Sequence, residues 1–160
     1  MDDLYSLAEA VVTEAAAKGL TLATAESLTA GLIAATVADV PGASRVLLGG
    51  VASYAFAVKQ SMLGVRGIGE DQAVSESCAK QMAVGARRLT QADIAVSATG
   101  VAGPDGGTEQ TPVGTVWIGL AAADTAAAKE YHFAGNRQAV RRETVRQALE
   151  TILNHMKGGN

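Results

Sequence analysis

Apolar residues recur at three- and four-residue spacing across Asp3–Lys18, through Leu4, Leu7, Ala8, Val11, Val12 and Ala15. That periodicity predicts an amphipathic helix, closed by Gly19. Residues 20–26 form a short β-capable run between Gly19 and the Ser27-Leu28-Thr29 corner, and a second helix is predicted over residues 29–40, stopped by Pro41-Gly42. Residues 46–54 are apolar and read as a strand, and Phe56–Leu63 as a short helix ended by Gly64. After a glycine-bearing connection over residues 65–73, Ser75 is an N-cap for a helix over residues 76–89, with Ala79, Met82, Ala83 and Ala86 on one side.

Residues 92–100 are apolar or small apart from Asp93, the pattern of a strand buried on both faces. A glycine-rich loop follows over residues 100–114, then two strands over 113–123 and 129–133 joined by 124–128. Asn136 can cap a last helix with Val140, Val145, Leu149, Ile152 and Met156 inward. The order α-β-α-β-α-α-β-β-β-α predicts an α/β fold, a three-layer α/β/α sandwich with a mixed sheet.

Composition narrows the function classes. With 160 residues, 48% hydrophobic and 18% charged, the chain has core material for one domain over residues 1–160 and does not read as disordered. A net charge of −3 is wrong for coating nucleic acid or an anionic membrane by bulk charge. A single cysteine, Cys78, forms no internal disulfide, and the two histidines, His132 and His155, stand far apart, which argues against a His/Cys metal site. Neither a secretory leader nor a membrane-spanning run is recognisable, so the expectation is a soluble cytoplasmic protein.

Four segments carry possible chemistry. In Thr24–Gly31, Ser27 stands where a strand gives way to a helix, beside free N–H groups able to hold an oxyanion; equally, Ser27 or Thr29 can simply cap that helix. In Ser53–Lys59, a desolvated Lys59 can serve as general base and Tyr54 as a proton relay, or they can be a surface lysine and a half-buried strand-end tyrosine. The loop Thr99–Gly107 is either a ligand cradle at a strand end or a long turn. Arg137 and Arg141, one turn apart at a helix start, suit a phosphate or carboxylate, with pairing to Glu143 as the plainer alternative. Ser77-Cys78-Ala79-Lys80 matches Ser-x-x-Lys of penicillin-recognising enzymes, but the companion motifs are missing, and Ser77 and Lys80 read as solvated helix positions.

Taken together, TAESLTAG, YAFAVK, TGVAGPDGG, PVGTVW and FAGNRQAVRR resemble, in order, the CinA C-terminal domain family, which also occurs alone as a nicotinamide mononucleotide deamidase. The resemblance covers most of the chain from Leu20 to Arg146; it implies that the N-terminal domain of longer CinA proteins is absent. It further implies hydrolysis of nicotinamide mononucleotide to nicotinic acid mononucleotide and ammonia, without metal or cofactor. Ser27 would be the nucleophile, Lys59 the base and Tyr54 the neighbouring tyrosine. Thr29, Gly31, Thr99, Gly100, Gly103, Asp105 and Gly106 would contact substrate, and Arg137 and Arg141 its 5′-phosphate. The implied partner is a pyridine mononucleotide, bound by a homodimer, with neither nucleic acid nor membrane involved. A non-catalytic nucleotide- or phosphate-binding module is the alternative. The chain departs from the family at Leu28 and Ala30 (Cys and Gly), at Ala55 and Phe56 (Ser and Asn) and at Thr111 (Lys); Phe56 could stack on the substrate ring.

Overall fold

A computed structural model describes residues 2–159. Twelve elements follow one another: α1 (Asp3–Lys18), β1 (Leu22–Glu26), α2 (Leu32–Ala38), a 3-10 turn (Ala43–Arg45), β2 (Leu47–Ala52), α3 (Phe56–Leu63), a second 3-10 turn (Glu70–Gln72), α4 (Glu76–Thr90), β3 (Ile94–Gly100), β4 (Thr115–Ala121), β5 (Ala126–His132) and α5 (Arg137–Met156). The five strands form one sheet in the order β2-β1-β3-β4-β5. β1 runs parallel to both β2 and β3, while β4 is antiparallel to β3 and to β5. The sheet is therefore mixed, as the alternation of elements predicts.

Helices cover both faces. Leu22, Val96, Val116 and Ile118 meet α1, α2 and α5 in one core with Val11, Ile33, Val145 and Leu149. Ala23, Ala25 and Ala95 point the other way, against Cys78, Met82 and Ala86 of α4 and Leu63 of α3. Small residues let α4 come close: Ser97 Oγ donates to the Ala79 carbonyl at 2.6 Å, and a Cβ on Gly119 would stand 2.4 Å from that same oxygen.

The chain leaves β1 through α2 on one face and returns from β2 to β3 through α3 and α4 on the other. The strand order thus reverses at β1, and the carboxyl ends of β1, β2 and β3 lie side by side there, the usual ligand position in open α/β sheets.

Two boundaries differ from the sequence reading by three residues, and the others by no more than two. α2 starts at Leu32 rather than at residue 29, because Ala30 (φ 51°) and Gly31 (φ 101°) are left-handed and no helix propagates through them. β5 starts at Ala126 rather than at residue 129: Ala122 N–H donates to the Thr125 carbonyl at 2.8 Å and Ala121 pairs with Ala126. Pairing with β4 overrides the weak β preference of three alanines.

Candidate active site

Ser27 follows the last residue of β1 and is held on strand geometry, its N–H donating to the Ala98 carbonyl of β3 at 2.9 Å. On the other side, Ser53 N–H donates to the Glu26 carbonyl at 2.8 Å, so the end of β2 is locked beside the end of β1. From there Ala55 leads into α3, whose fourth residue is Lys59. One turn of helix brings the lysine back over the strand ends.

Lys59 is 2% exposed. Its Nζ lies 2.9 Å from Ser27 Oγ, 2.7 Å from the Ser53 carbonyl and 3.2 Å from the Tyr54 carbonyl. Among the described residues no carboxylate forms an ion pair with it. Burial pushes its pKa below the ordinary lysine value, opposed by the weaker influence of Cys78 and Glu70. In its charged form the amine can donate to Ser27 Oγ and to both carbonyls; in its neutral form the two carbonyls can take its two hydrogens and leave the lone pair to the Ser27 hydroxyl. The neighbouring Cys78 thiol is pushed up to about 11, mainly by its own burial, and stays protonated.

Glu26, Ser27 and the following turn decide where the free N–H groups are. Ser27 caps nothing, nor does Thr29; the N-cap residue Gly31 has no side chain. Instead the buried Glu26 carboxylate accepts from Gly31 N–H and Ile33 N–H at 3.0 Å each and from Ala34 N–H at 2.9 Å. Ala30 N–H is taken by the Ser27 carbonyl and Leu32 N–H by that of Thr29, both at 3.0 Å. Only the N–H groups of Leu28 and Thr29 in this turn have no acceptor among the described residues.

Arg141, in the first turns of α5, grips the same turn from outside: Nε donates to the Leu28 carbonyl at 2.9 Å and an Nη to the Thr29 carbonyl at 3.1 Å. Because a trans peptide is planar, fixing the Leu28 carbonyl toward Arg141 aims Thr29 N–H the opposite way. Arg137 donates to the Gly103 carbonyl and to Tyr54 Oη, both at 2.8 Å. Neither arginine pairs with a carboxylate among the described residues; Arg146, not these two, binds Glu143.

The structure therefore brings Ser27, Lys59, Tyr54, Thr29, Gly31, Gly103, Arg137 and Arg141 into one connected cluster, in different roles. The Tyr54 phenol sits on Arg137 rather than on Lys59, and the residue touches the lysine through its carbonyl. Thr99 Oγ1 donates to the Ala73 carbonyl at 2.7 Å, tying β3 to the segment before α4. A Cβ on Gly100 would meet the Thr115 carbonyl at 2.6 Å, so this glycine is needed for packing. Asp105 and Gly106 are exposed on the loop. Phe56 packs against the α4-side core. Sequence reasoning passed over Glu26; its signal was an acid placed just before a strand–helix junction whose first helical turn lacks a local cap. Among the described residues no three His, Cys, Asp or Glu gather closely enough to hold a metal ion.

The family model for the CinA C-terminal domain matches residues 4–156. The chain belongs to the CinA C-terminal domain family. This CinA domain is 41% identical over 153 residues to the nicotinamide-nucleotide amidohydrolase PncC of Escherichia coli, covering 94% of this chain and 93% of that protein. A CinA-like protein of Thermotoga neapolitana is 44% identical over 142 residues, which cover 86% of this chain but 34% of that longer protein. Among solved structures, a CinA superfamily protein from Klebsiella pneumoniae superposes with a TM-score of 0.92 at 32% identity, covering 98% of this chain and 99% of that one. The competence/damage inducible protein CihA of Agrobacterium tumefaciens gives 0.89 at 37%, covering 96% and 97%.

Proposed function

We propose that this CinA domain is an amidohydrolase that converts nicotinamide mononucleotide to nicotinic acid mononucleotide and ammonia, with Ser27 as nucleophile and Lys59 as general base. The observation that carries the reading is the 2.9 Å approach of a buried lysine, free of any acid partner, to a serine hydroxyl at the switch point of the sheet. The likeness to PncC over nearly the whole of both chains supports the substrate.

In this mechanism neutral Lys59 takes the Ser27 proton as Oγ attacks the carboxamide carbon. The oxyanion is met by Leu28 N–H and Thr29 N–H, contacts of a kind worth roughly 3–4 kcal/mol each in acyl-transfer enzymes. Lys59 returns the proton to the departing nitrogen, and ammonia leaves. Water, deprotonated by Lys59, then attacks the Ser27 ester; the carboxylate departs and the lysine reprotonates Ser27. The pyridinium ring withdraws electrons from its own amide, which eases the first attack. Arg137, exposed at the mouth with Tyr54, meets the 5′-phosphate, while Arg141 shapes the turn.

The enzyme in this reading is cytoplasmic and acts as a homodimer on a small-molecule substrate. The edge strand β2 (Leu47–Ala52), which carries no charge to deter pairing, supports self-association, and light scattering should give twice the chain mass. The decisive assay is ammonia release from nicotinamide mononucleotide, beside nicotinamide riboside and nicotinamide. Turnover should follow that order. Tight mononucleotide binding with no ammonia at any pH between about 6 and 10, the range that brackets a lowered lysine, would instead establish the non-catalytic binding module.

A further inference from the structure

Glu26 takes no part in the proton transfers above, yet it directly precedes Ser27 and is fully buried. No cation pairs with it among the described residues. A buried carboxylate without a counter-ion is costly unless its oxygens are met by donors, and here three backbone N–H groups do so, at 2.9–3.0 Å. A local serine or aspartate cap at position 31 is closed off by left-handed backbone that L side chains rarely adopt. Glycine stands there at φ 101°, and the cap comes from across the turn.

We propose that Glu26 is a positioning residue for acyl transfer: it ties the start of α2 to the end of β1, so that within the Ser27–Gly31 turn Leu28 and Thr29 are left as the unpaired N–H groups among the described residues. The two ends of the Ser27–Gly31 turn are then fixed by one side chain. Arg141 fixes its carbonyls from the opposite side. Removing the Gly31, Ile33 and Ala34 N–H groups from contention has a second consequence. The start of α2 can no longer draw an anionic group, such as the carboxylate product, away from the Leu28–Thr29 pair.

The inference rests on Ser27 being the nucleophile, and the test separates the two. The probe is a fluorophosphonate, whose capture by Ser27 needs a nucleophile and oxyanion donors but not a pyridine nucleotide. Glu26→Gln keeps the volume and puts an NH2 donor against N–H groups. It should slow Ser27 modification roughly tenfold or more, as expected when oxyanion donors are misaligned. The pH midpoint of modification should stay unchanged, because Lys59 is untouched. A folded Glu26→Gln protein that reacts within about twofold of wild type, or that shifts the pH midpoint, overturns the proposal; wild type that does not react at all removes the nucleophile itself. Amide hydrogen exchange on the wild-type protein adds a readout independent of the variant's folding. Gly31, Ile33 and Ala34 should exchange more slowly than Leu28 and Thr29, which are buried but carry no amide hydrogen bond among the described residues. Equal rates across the turn would also overturn it.

Discussion

Lys59 Nζ stands 2.9 Å from Ser27 Oγ although 32 positions separate the two residues. Sheet register makes the meeting possible: Glu26 lies opposite Ala52, so the residues after β1 and β2 emerge side by side, and α3 folds Lys59 back across them. The Ser53 and Tyr54 carbonyls then hold the amine in place. The amine is aimed by backbone atoms, and a substitution at Ser53 or Tyr54 leaves those acceptors intact.

Because burial lowers the Lys59 pKa, its neutral form is present below the ordinary lysine range. The kcat/KM for the amide should rise with pH on an acid limb whose midpoint lies below about 10.4. A pH–rate profile measures this directly. A limb still rising linearly beyond that pH would place the lysine at its unperturbed value.

The same shift has a stability signature. A lysine whose folded pKa is below its unfolded value is protonated more readily in the unfolded chain, so stability rises with pH between the two pKa values. Wild type should therefore gain stability from neutral pH toward about 10, relative to Lys59→Met, which lacks the titrating group. Urea midpoints across that range measure the difference.

Arg137 and Arg141 should separate kinetically. Arg137→Ala removes a guanidinium free of acid partners at the mouth, and should raise KM for the mononucleotide by roughly 10–100-fold while barely affecting nicotinamide riboside. Arg141→Ala loosens the turn that bears the oxyanion donors, and should lower kcat for both substrates. Steady-state kinetics on the substrate pair distinguishes these patterns.

Two backbone sites test the packing. Ala30 holds φ 51°, a conformation in which a Cβ costs about 1 kcal/mol, so Ala30→Gly should be neutral or stabilising by up to that amount. Gly119→Ala would drive a Cβ to 2.4 Å from the Ala79 carbonyl and should destabilise by about 1–3 kcal/mol. Thermal and denaturant unfolding of each variant provides the check.

Most elements were legible because their signals are local. Gly19 and Gly64 end α1 and α3 in left-handed geometry, Ser75 and Asn136 accept N–H bonds at the starts of α4 and α5, and the inward residues of α5 are buried. The α2 start was misplaced because Ala30 carries no sign of a positive φ. In the site, side chains with obvious chemistry were readable: Ser27, Lys59, Tyr54 and the arginines. Roles set by long-range approach were not. Arg141 reads as an anion ligand until its guanidinium is seen on two carbonyls more than a hundred residues away in the chain. The Ser53 and Tyr54 carbonyls leave no trace in residue identity. Two surface depressions, one beside Arg87, Arg88 and Thr125 and one beside Lys129, Tyr131 and His155, do not include Ser27 in their lining and had no sequence signal.

Ammonia release from nicotinamide mononucleotide by wild type, Ser27→Ala and Lys59→Met, each first shown to be folded by circular dichroism, tests the dyad most directly. Wild type should turn over, and both variants should fall by roughly 10³-fold or more, since nucleophile and base act as a unit. Retention of substantial turnover by folded Ser27→Ala would contradict the account.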